Sequence, residues 1–200
     1  MRTFSFLHAF IALCATVLLL SACASRPEER FYILEAVTAP APGGPQTVDG
    51  FVIGIGRIEI PAYLDRPQIV TKVRANELIL NEYALWAEPL EQAVSRVMAL
   101  DLAALTGAAV EIDPWGRARR VVYRLSAKLE RLDGVPGGNA VLDVRWILED
   151  VRREVPPITR DSHVVKPVGN GGFASLAEAY SELIADFSRE VAQEIERLPR

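Results

Sequence analysis

The second half of the chain alternates apolar and polar residues in the manner of β-strands. Apolar residues occupy every second position over residues 121–130 and again over residues 142–149. Successive side chains of a strand lie on opposite faces, so this period of two predicts two half-buried antiparallel strands. The glycine-rich stretch at residues 133–139 predicts the turn that joins them. Residues 159–166 are expected to add a third strand.

Two other segments carry apolar residues at helical spacing. The first is predicted to begin at Pro89, where the first turn of a helix tolerates proline, and to end at Gly107. Asp101 falls inside its apolar stripe. The sequence leaves two roles open for this carboxylate: a position at an interface and an ion pair with a basic group. The second is predicted to begin at a capping box of Ser175 and Glu178 and to continue to about residue 197. Its expected buried stripe comprises Leu176, Tyr180, Leu183, Ile184, Phe187 and Val191.

The first half of the chain predicts shorter strands, with a loop rich in proline and glycine at residues 39–50 and a turn at Asn76. These strands are expected at residues 31–34, 51–60, 68–72, 77–82 and 108–112. The resulting order along the chain is strands, helix, strands, helix. This order predicts a single α+β domain over residues 31–198, with a largely antiparallel or mixed sheet and two helices packed on one face.

An apolar leader precedes this body and ends at a cysteine. Residues 9–20 form an apolar core of signal-peptide length, and the sequence Leu-Ser-Ala-Cys at residues 20–23 follows it. This sequence fits the bacterial lipoprotein box, whose cysteine receives diacylglycerol on its sulfur and, after cleavage, an acyl chain such as palmitate on its amine. Two or three acyl chains hold a protein firmly on a membrane, whereas one chain binds marginally. We therefore predict a signal peptide at residues 1–22, lipid attachment at Cys23, and a linker over residues 23–30.

Two alternatives to the lipoprotein leader stay open at this stage. Residues 4–24 are long enough for an uncleaved transmembrane anchor, at roughly 20 residues. An ordinary secretory signal that ends by chance at a cysteine is the other alternative.

The residue after Cys23 bears on which membrane the lipid anchor enters. In Gram-negative bacteria an aspartate at this position tends to retain lipoproteins at the inner membrane, and this chain has Ala24 instead. The sequence therefore predicts anchoring in the inner leaflet of the outer membrane, with the body facing the periplasm. Seven residues separate Cys23 from Phe31. Because they reach at most about 25 Å when extended, the body is expected to lie close to the membrane.

The composition limits the chemistry that the body can perform. A net charge of −4 gives no basic surface for nucleic acid. Cys14 and Cys23 are the cysteines of the chain, and His163 is the one histidine after the leader. This inventory excludes a disulfide framework, a cysteine nucleophile and a zinc site with several Cys or His ligands. We expect no catalytic residue, metal or cofactor apart from the covalent lipid, although the inventory leaves a carboxylate pair open.

Gly54 and Gly56 are spaced like the beginning of a phosphate-binding loop. Glu59 stands where a third glycine belongs, however, and Pro61 follows where a helix would have to begin. We therefore interpret the two glycines as strand positions that a bulge or another backbone approaches. His163 is interpreted as a surface residue. The tryptophans are interpreted as core or interface anchors: Trp86, Trp115 and Trp146.

Two stretches are more specific than any periodic pattern. The first is IPAYLDRPQIV at residues 60–70, and the second is WAEPL at residues 86–90. Both resemble the PqiC/YmbA family of ABC-transport auxiliary lipoproteins, and so do the lipoprotein box and RFYIL at residues 30–34. One departure is Leu85, where we expect the family often to carry arginine before the tryptophan. This departure puts any role of that arginine in doubt.

The resemblance implies a function that the residues alone do not reveal. Members of this family are periplasm-facing lipoproteins without enzymatic activity. They work with an MCE-domain protein, a permease and an ATPase to move lipids between the two membranes, which supports envelope integrity. The resemblance also implies a homo-oligomer, which we expect to be a ring. The alternative functions are a periplasmic hydrolase, a structural envelope lipoprotein and an assembly factor for lipopolysaccharide export.

The partner surface is expected on the loop over residues 61–72, because contact surfaces usually lie on loops carried by a rigid scaffold. The candidate interface residues are Tyr63, Leu64, Asp65 and Arg66. In the alternative, the two apolar residues fold back onto the sheet and the charged pair only stabilises a turn.

Overall fold

The computed structural model describes residues 27–38, 51–114 and 121–198. The leader, Cys23, Trp115 and the predicted loop at residues 39–50 lie outside these ranges. The strands are β1 (Arg30–Tyr32), β2 (Val52–Glu59), β3 (Gln68–Arg74), β4 (Glu77–Trp86), β5 (Ala109–Ile112), β6 (Val121–Gly134), β7 (Asn139–Asp150) and β8 (Ile158–Pro167). The helices are α1 (Leu90–Thr106) and α2 (Phe173–Arg197), and a short 3₁₀ helix spans Ala62–Leu64.

The larger sheet has five strands in the order β5-β2-β6-β7-β8. β6, β7 and β8 form an antiparallel meander, in which Leu125 lies opposite Leu148 and Val144 lies opposite Ser162. This arrangement confirms the predicted hairpin and its third strand. β2 runs parallel to both of its neighbours, β5 and β6. Parallel neighbours need a crossover connection, and α1 lies within the connection from β2 to β5.

The smaller sheet has three strands in the order β1-β4-β3. β3 and β4 form an antiparallel hairpin, whereas β1 runs parallel to β4 with Tyr32 opposite Trp86. The α+β class and the mixed pairing are therefore confirmed. The division into two sheets was not predicted, because the alternation within a strand does not say which edges will pair.

The core lies between the larger sheet and the two helices. α1 packs against β2 and β5, α2 packs against β6, β7 and β8, and the helices contact each other. The rings of Trp146 and Phe187 meet edge to face with centroids 6.1 Å apart. The Trp146 indole donates its N–H to the hydroxyl of Ser162 at 2.9 Å, which satisfies a buried donor. All six residues of the predicted α2 stripe are buried, as is Trp146.

The opposite face of the meander is charged and faces solvent. Arg145 and Asp161 form a paired contact across β7 and β8, with Nε and Oδ1 2.7 Å apart. His163 lies on the same face with 64% of its side chain exposed, and its Nδ1 is 2.5 Å from Oδ1 of Asp143. The interpretation of His163 as a surface residue is therefore confirmed.

Two of the predicted chain features are confirmed in detail. Gly107 ends α1 in the left-handed conformation with φ 68°, and its N–H bonds to the carbonyl of Ala103. Gly56 lies in β2, where an added Cβ would be 3.3 Å from the carbonyl oxygen of Leu125. The pairing register of β2 also shifts between Ile55 and Ile58. A neighbouring backbone and a bulge thus approach this glycine, as the sequence predicts.

Two predicted boundaries are wrong. The capping box does not form, because α2 begins at Phe173 after Gly172, and the hydroxyl of Ser175 accepts the N–H of Gly171 instead. The turn predicted at residue 133 begins later, since β6 continues through Gly134 and Asp133 is buried. Composition favoured a turn here, but pairing with β7 and cationic neighbours keep this carboxylate inside the strand.

Candidate functional site

The two motif stretches meet at the base of the β3–β4 hairpin. After β2, Pro61 accepts the N–H of Leu64 at 2.8 Å and begins the 3₁₀ helix, which turns the chain into β3. The carbonyl of Pro67 accepts the N–H of Trp86 at 2.7 Å. This bond joins residues that are far apart in sequence, because the antiparallel hairpin returns the chain to the point where it began.

A cleft of about 360 Å³ lies at this junction. It is open to solvent on one side, and its walls come from both motif stretches. The lining residues are Asp65, Arg66, Pro67, Trp86, Ala87, Glu88 and Pro89. Two prolines, an alanine and an indole edge give it an apolar floor, and three charged side chains surround that floor. The arrangement suits a partner segment that combines an apolar body with a charged group.

Tyr63 and Leu64 fold back onto the body rather than into the cleft. Leu64 is 3% exposed and belongs to the hydrophobic core, and Tyr63 is half-buried against that core. Burial raises the pKa of the Tyr63 phenol, and the nearby Asp133 carboxylate adds to the effect. These two residues therefore pack beneath the loop, on the side that faces the hydrophobic core.

Asp65 and Arg66 lie on the cleft side of the same loop. Asp65 is exposed and Arg66 is half-buried. The Nε of Arg66 is buried and has no hydrogen-bond partner among the residues that the structure describes. A guanidinium N–H without an acceptor is costly inside a protein. Arg66 therefore carries an unsatisfied donor, on a nitrogen that is closed to solvent, beside a guanidinium that is half-buried at the cleft.

The other wall of the cleft is held rigidly. Trp86 is 5% exposed, and its ring stacks on Tyr180 of α2 with centroids 6.0 Å apart. This confirms its interpretation as an anchor. The carboxylate of Glu88 is engaged by Arg96, whose Nη2 also donates to the carbonyl of Leu34 at 2.8 Å. Arg96 thus pairs with Glu88, whereas Arg66 forms no ion pair with any residue that the structure describes.

Asp133 lies beneath the loop at the centre of an ion cluster. Its Oδ2 is 2.7 Å from Nε of Arg131 and 3.5 Å from Nζ of Lys72. These cations come from β6 and β3, so the cluster joins the smaller sheet to the larger one. Sequence reasoning missed this group because it placed Asp133 in a turn.

Asp101 has a structural role that the sequence left undecided. Its side chain is fully buried, and its Oδ1 accepts the N–H of Thr38 at 3.1 Å. Burial raises the pKa of this carboxyl above its ordinary value. A second side chain of the helices, Ser181, accepts the N–H of Glu35 at 3.1 Å. Together they hold the segment after β1 between α1 and α2.

The described part of the chain offers no other constellation for chemistry. Within residues 27–38, 51–114 and 121–198, no group of three or more His, Cys, Asp or Glu side chains could hold a metal ion. No helix in those ranges is long and apolar enough to cross a membrane.

Solved structures with this fold share little sequence with the chain. A crystal structure of an uncharacterized protein matches with a TM-score of 0.68 and 19% identity, covering 84% of this chain and 99% of that chain. Protein XCC0632 from Xanthomonas campestris, of the DUF330 family, gives a TM-score of 0.65 and 18% identity over the same shares. The PelC dodecamer from Paraburkholderia phytofirmans is less similar, with a TM-score of 0.41, 20% identity, and coverage of 72% of this chain and 89% of that one. No curated protein sequence is a significant match.

The family assignment comes from the sequence match. The model of the family described as "ABC-type transport auxiliary lipoprotein component" matches residues 32–192. This range contains both motif stretches, the cleft between them and all of α1. The description of this family implies an auxiliary role in transport rather than an enzymatic one. The chain therefore belongs to the family of ABC-type transport auxiliary lipoprotein components.

Proposed function

We propose that this protein is the outer-membrane lipoprotein of a system that moves lipids between the inner and outer membranes. Its partners are an MCE-domain protein and the permease and ATPase that drive it. The lipid anchor is on Cys23, in the inner leaflet, and the body faces the periplasm. The family match and the lipoprotein box at residues 20–23 support this function. The absence of aspartate after Cys23 supports the choice of membrane.

The cleft between the two motif stretches is the proposed contact for the transport partner. The observation that carries this proposal is the convergence of those stretches around Arg66, whose buried Nε has no acceptor within the described ranges. A carboxylate of the partner would pair with the half-buried guanidinium of Arg66, and the apolar residues of the cleft would contact an adjacent apolar side chain. Among the interface residues suggested by sequence, Asp65 and Arg66 make contact, and Tyr63 and Leu64 position the loop.

Crosslinked capture from intact envelopes tests both the partner and the surface. The full chain carries an affinity tag, and captured proteins are identified by mass spectrometry. Capture of an MCE-domain protein with the wild-type chain and at least a tenfold reduction with Arg66→Gln is the expected result. The matched control is Arg57→Gln, since Arg57 is a highly exposed arginine on β2 that pairs with Glu59.

Several outcomes would contradict this function. Capture that is equal for Arg66→Gln and Arg57→Gln would remove the cleft from the interface and leave the transport role intact. Efficient capture of lipopolysaccharide-export components, with no MCE-domain protein, would favour the alternative assembly role. Capture of neither class would favour a structural envelope lipoprotein.

The lipid anchor has a separate test. Metabolic labelling with a radioactive fatty acid should label the wild-type chain and should not label Cys23→Ala. Label that persists in the variant would refute attachment at Cys23, whatever the capture experiment shows.

We further propose that the protein assembles as a homo-oligomeric ring. The resemblance to the PqiC/YmbA family supports this assembly. The smaller sheet supports it as well, because it presents open strand edges of the kind that pair with other chains.

A further inference from the structure

The outer half of the β3–β4 hairpin exposes large apolar side chains on both of its faces. Leu78 and Leu80 point to one face and Ile79 to the other, because side chains alternate along a strand. Tyr83 follows where the pairing of β3 with β4 shifts its register. Each of these four residues is between 42% and 45% exposed, and Val73 on β3 is 48% exposed. With about 200 Å² for a large side chain, the five present roughly 450 Å² of apolar surface. This total is divided between the two faces of the hairpin, and exposed apolar surface of a few hundred Å² on a monomer is often functional.

The same half of the hairpin lacks neighbours along its edges. β3 is at the edge of its sheet, and β1 covers β4 at residues 84–86 alone within the described ranges. Two strands without further partners are marginally stable in water. The outer hairpin is thus the part of the structure that most needs a covering partner.

A second apolar patch lies on the segment after β1. Phe31, Ile33 and Val37 are 60%, 49% and 47% exposed. They line a groove of about 520 Å³ against Ala174 and Ala177 of α2. Three carboxylates lie around this groove: Glu35, Glu178 and Glu182.

The hairpin tip and the groove lie at opposite ends of the smaller sheet. β4 begins at the hairpin turn and ends at Trp86, opposite Tyr32 of the parallel strand β1. The chain then continues beyond Tyr32 into the groove. From Glu77 to Trp86 the strand spans about 30 Å, at about 3.3 Å per residue. One copy therefore presents a projecting apolar element at one end and an apolar groove at the other.

We propose that the outer hairpin of one copy inserts into the α2 groove of the next copy, in a head-to-tail arrangement. This inference rests on the proposed homo-oligomer and names the surfaces that build it. Arg74 at the hairpin tip pairs with Glu77 at 3.4 Å, and both side chains are exposed, at 81% and 54%. An exposed pair of this kind is worth little, so Arg74 can exchange Glu77 for a carboxylate of the acidic groove. Head-to-tail contacts of this kind close into a ring when the rotation between copies permits.

A lipid bilayer fits the hairpin less well than a second copy does. The charged pair of Arg74 and Glu77 lies at the tip, ahead of the apolar residues. Insertion into hydrocarbon would have to carry both charges through the membrane interface first. At a groove that is open to solvent at its rim, Arg74 and Glu77 can both stay in water while the apolar residues behind them are covered.

Two double variants test the two surfaces separately. The hairpin variant is Leu78→Gln with Leu80→Gln, and the groove variant is Phe31→Ser with Ile33→Ser. The matched control is Leu100→Gln, an α1 leucine that is 51% exposed. Full chains are extracted in detergent, and native mass spectrometry measures their assembly. Each double variant should raise the dissociation constant for self-association at least tenfold, whereas the control should leave it unchanged.

A mixing experiment then tests the head-to-tail geometry. The hairpin variant keeps an intact groove and the groove variant keeps an intact hairpin, so an equimolar mixture should form heterodimers and no larger species. A mixture that stays monomeric would overturn the proposal. Homodimers of the groove variant alone would overturn it as well, because symmetric hairpin-to-hairpin contacts predict that result.

Disulfide trapping provides a readout that does not depend on affinity. Leu80→Cys and Val37→Cys, in separate full chains, should crosslink to each other when mixed, with the unsubstituted chain as the control for background. Crosslinking of Leu80→Cys with itself alone would overturn the arrangement.

A wild-type chain that is monomeric would refute the oligomer and this interface together, while MCE capture would still test the transport role. Wild-type assembly in both double variants would refute the interface alone.

Discussion

Replacement of Leu64 by alanine separates the two readings of the loop over residues 61–72. The sequence motif makes this leucine a candidate for partner binding, whereas the structure buries it in the core. If it acts in the core, Leu64→Ala lowers stability and affects partner capture only as far as the chain unfolds. If it acts at the interface, the variant stays folded and loses capture.

The structure sets the size of the expected effect. Substitutions of buried leucine by alanine cost about 2–5 kcal/mol, and the cost is smaller where neighbours can relax into the cavity. Leu64 is 3% exposed but lies on a 3₁₀ helix of one turn near the surface, so we expect about 2–3 kcal/mol. In a domain of this size each kcal/mol lowers the melting temperature by about 2–4 °C. The expected decrease is therefore roughly 4–12 °C.

Thermal melting followed by circular dichroism, on the full chain in detergent, measures this decrease. Leu100→Ala is the control, because it makes the same chemical change at a leucine that is 51% exposed. Its free energy of unfolding should stay within about 0.5 kcal/mol of the wild type. A melting temperature for Leu64→Ala within 1 °C of the control, combined with lost capture of the transport partner, would refute the core assignment.

Two further substitutions test positions within α1 and at its C-terminal end. Asp101→Asn should melt at or above the wild-type temperature at pH 7, because burial raises the pKa of the carboxyl and the fold therefore disfavours its charged form. In the wild type, the free energy of unfolding should fall as the pH rises from the ordinary value near 3.8 through the raised pKa of Asp101, because the folded chain binds the proton more tightly than the unfolded chain. An equal dependence of stability on pH in Asp101→Asn would contradict the raised pKa. Gly107→Ala should destabilise the chain by about 1 kcal/mol, because this C-cap has φ 68°, and an unchanged urea midpoint would argue against the left-handed end of α1.

Periodicity was enough to predict the elements of the scaffold. The alternation over residues 121–130 and the stripe from Leu176 to Val191 each predict which side chains are buried, and the structure agrees from Tyr123 onward and along the whole stripe. At the start of β6 the prediction is wrong, because Val121 is half-buried and Val122 is buried. Both patterns are local, so each can be recognised from neighbouring residues without knowledge of the tertiary structure. The end of α1 was equally predictable, because Gly107 adopts a conformation that other residues avoid.

Long-range pairing was beyond what periodicity can predict. The parallel contacts of β2 with β5 and β6 depend on a crossover through α1, and no residue within β2 signals them. The cleft was missed for the same reason. Pro67 and Trp86 stand far apart in sequence, and only the return of the β3–β4 hairpin brings them together. Leu64 was assigned to a contact surface because a loop position does not reveal on which side its residue is buried.

The two sheets divide the work of the molecule. The larger sheet is covered by both helices on one face and carries charged pairs such as Arg145–Asp161 on the other, so it serves as a scaffold with its helix-facing apolar side chains buried. The smaller sheet carries the features that remain incomplete: the unsatisfied Nε of Arg66, the exposed hairpin and the groove beside β1. It is also where the chain enters the domain, since Arg30 opens β1. A lipid anchor at Cys23 would therefore hold the membrane within a few residues of the sheet that presents the proposed contacts.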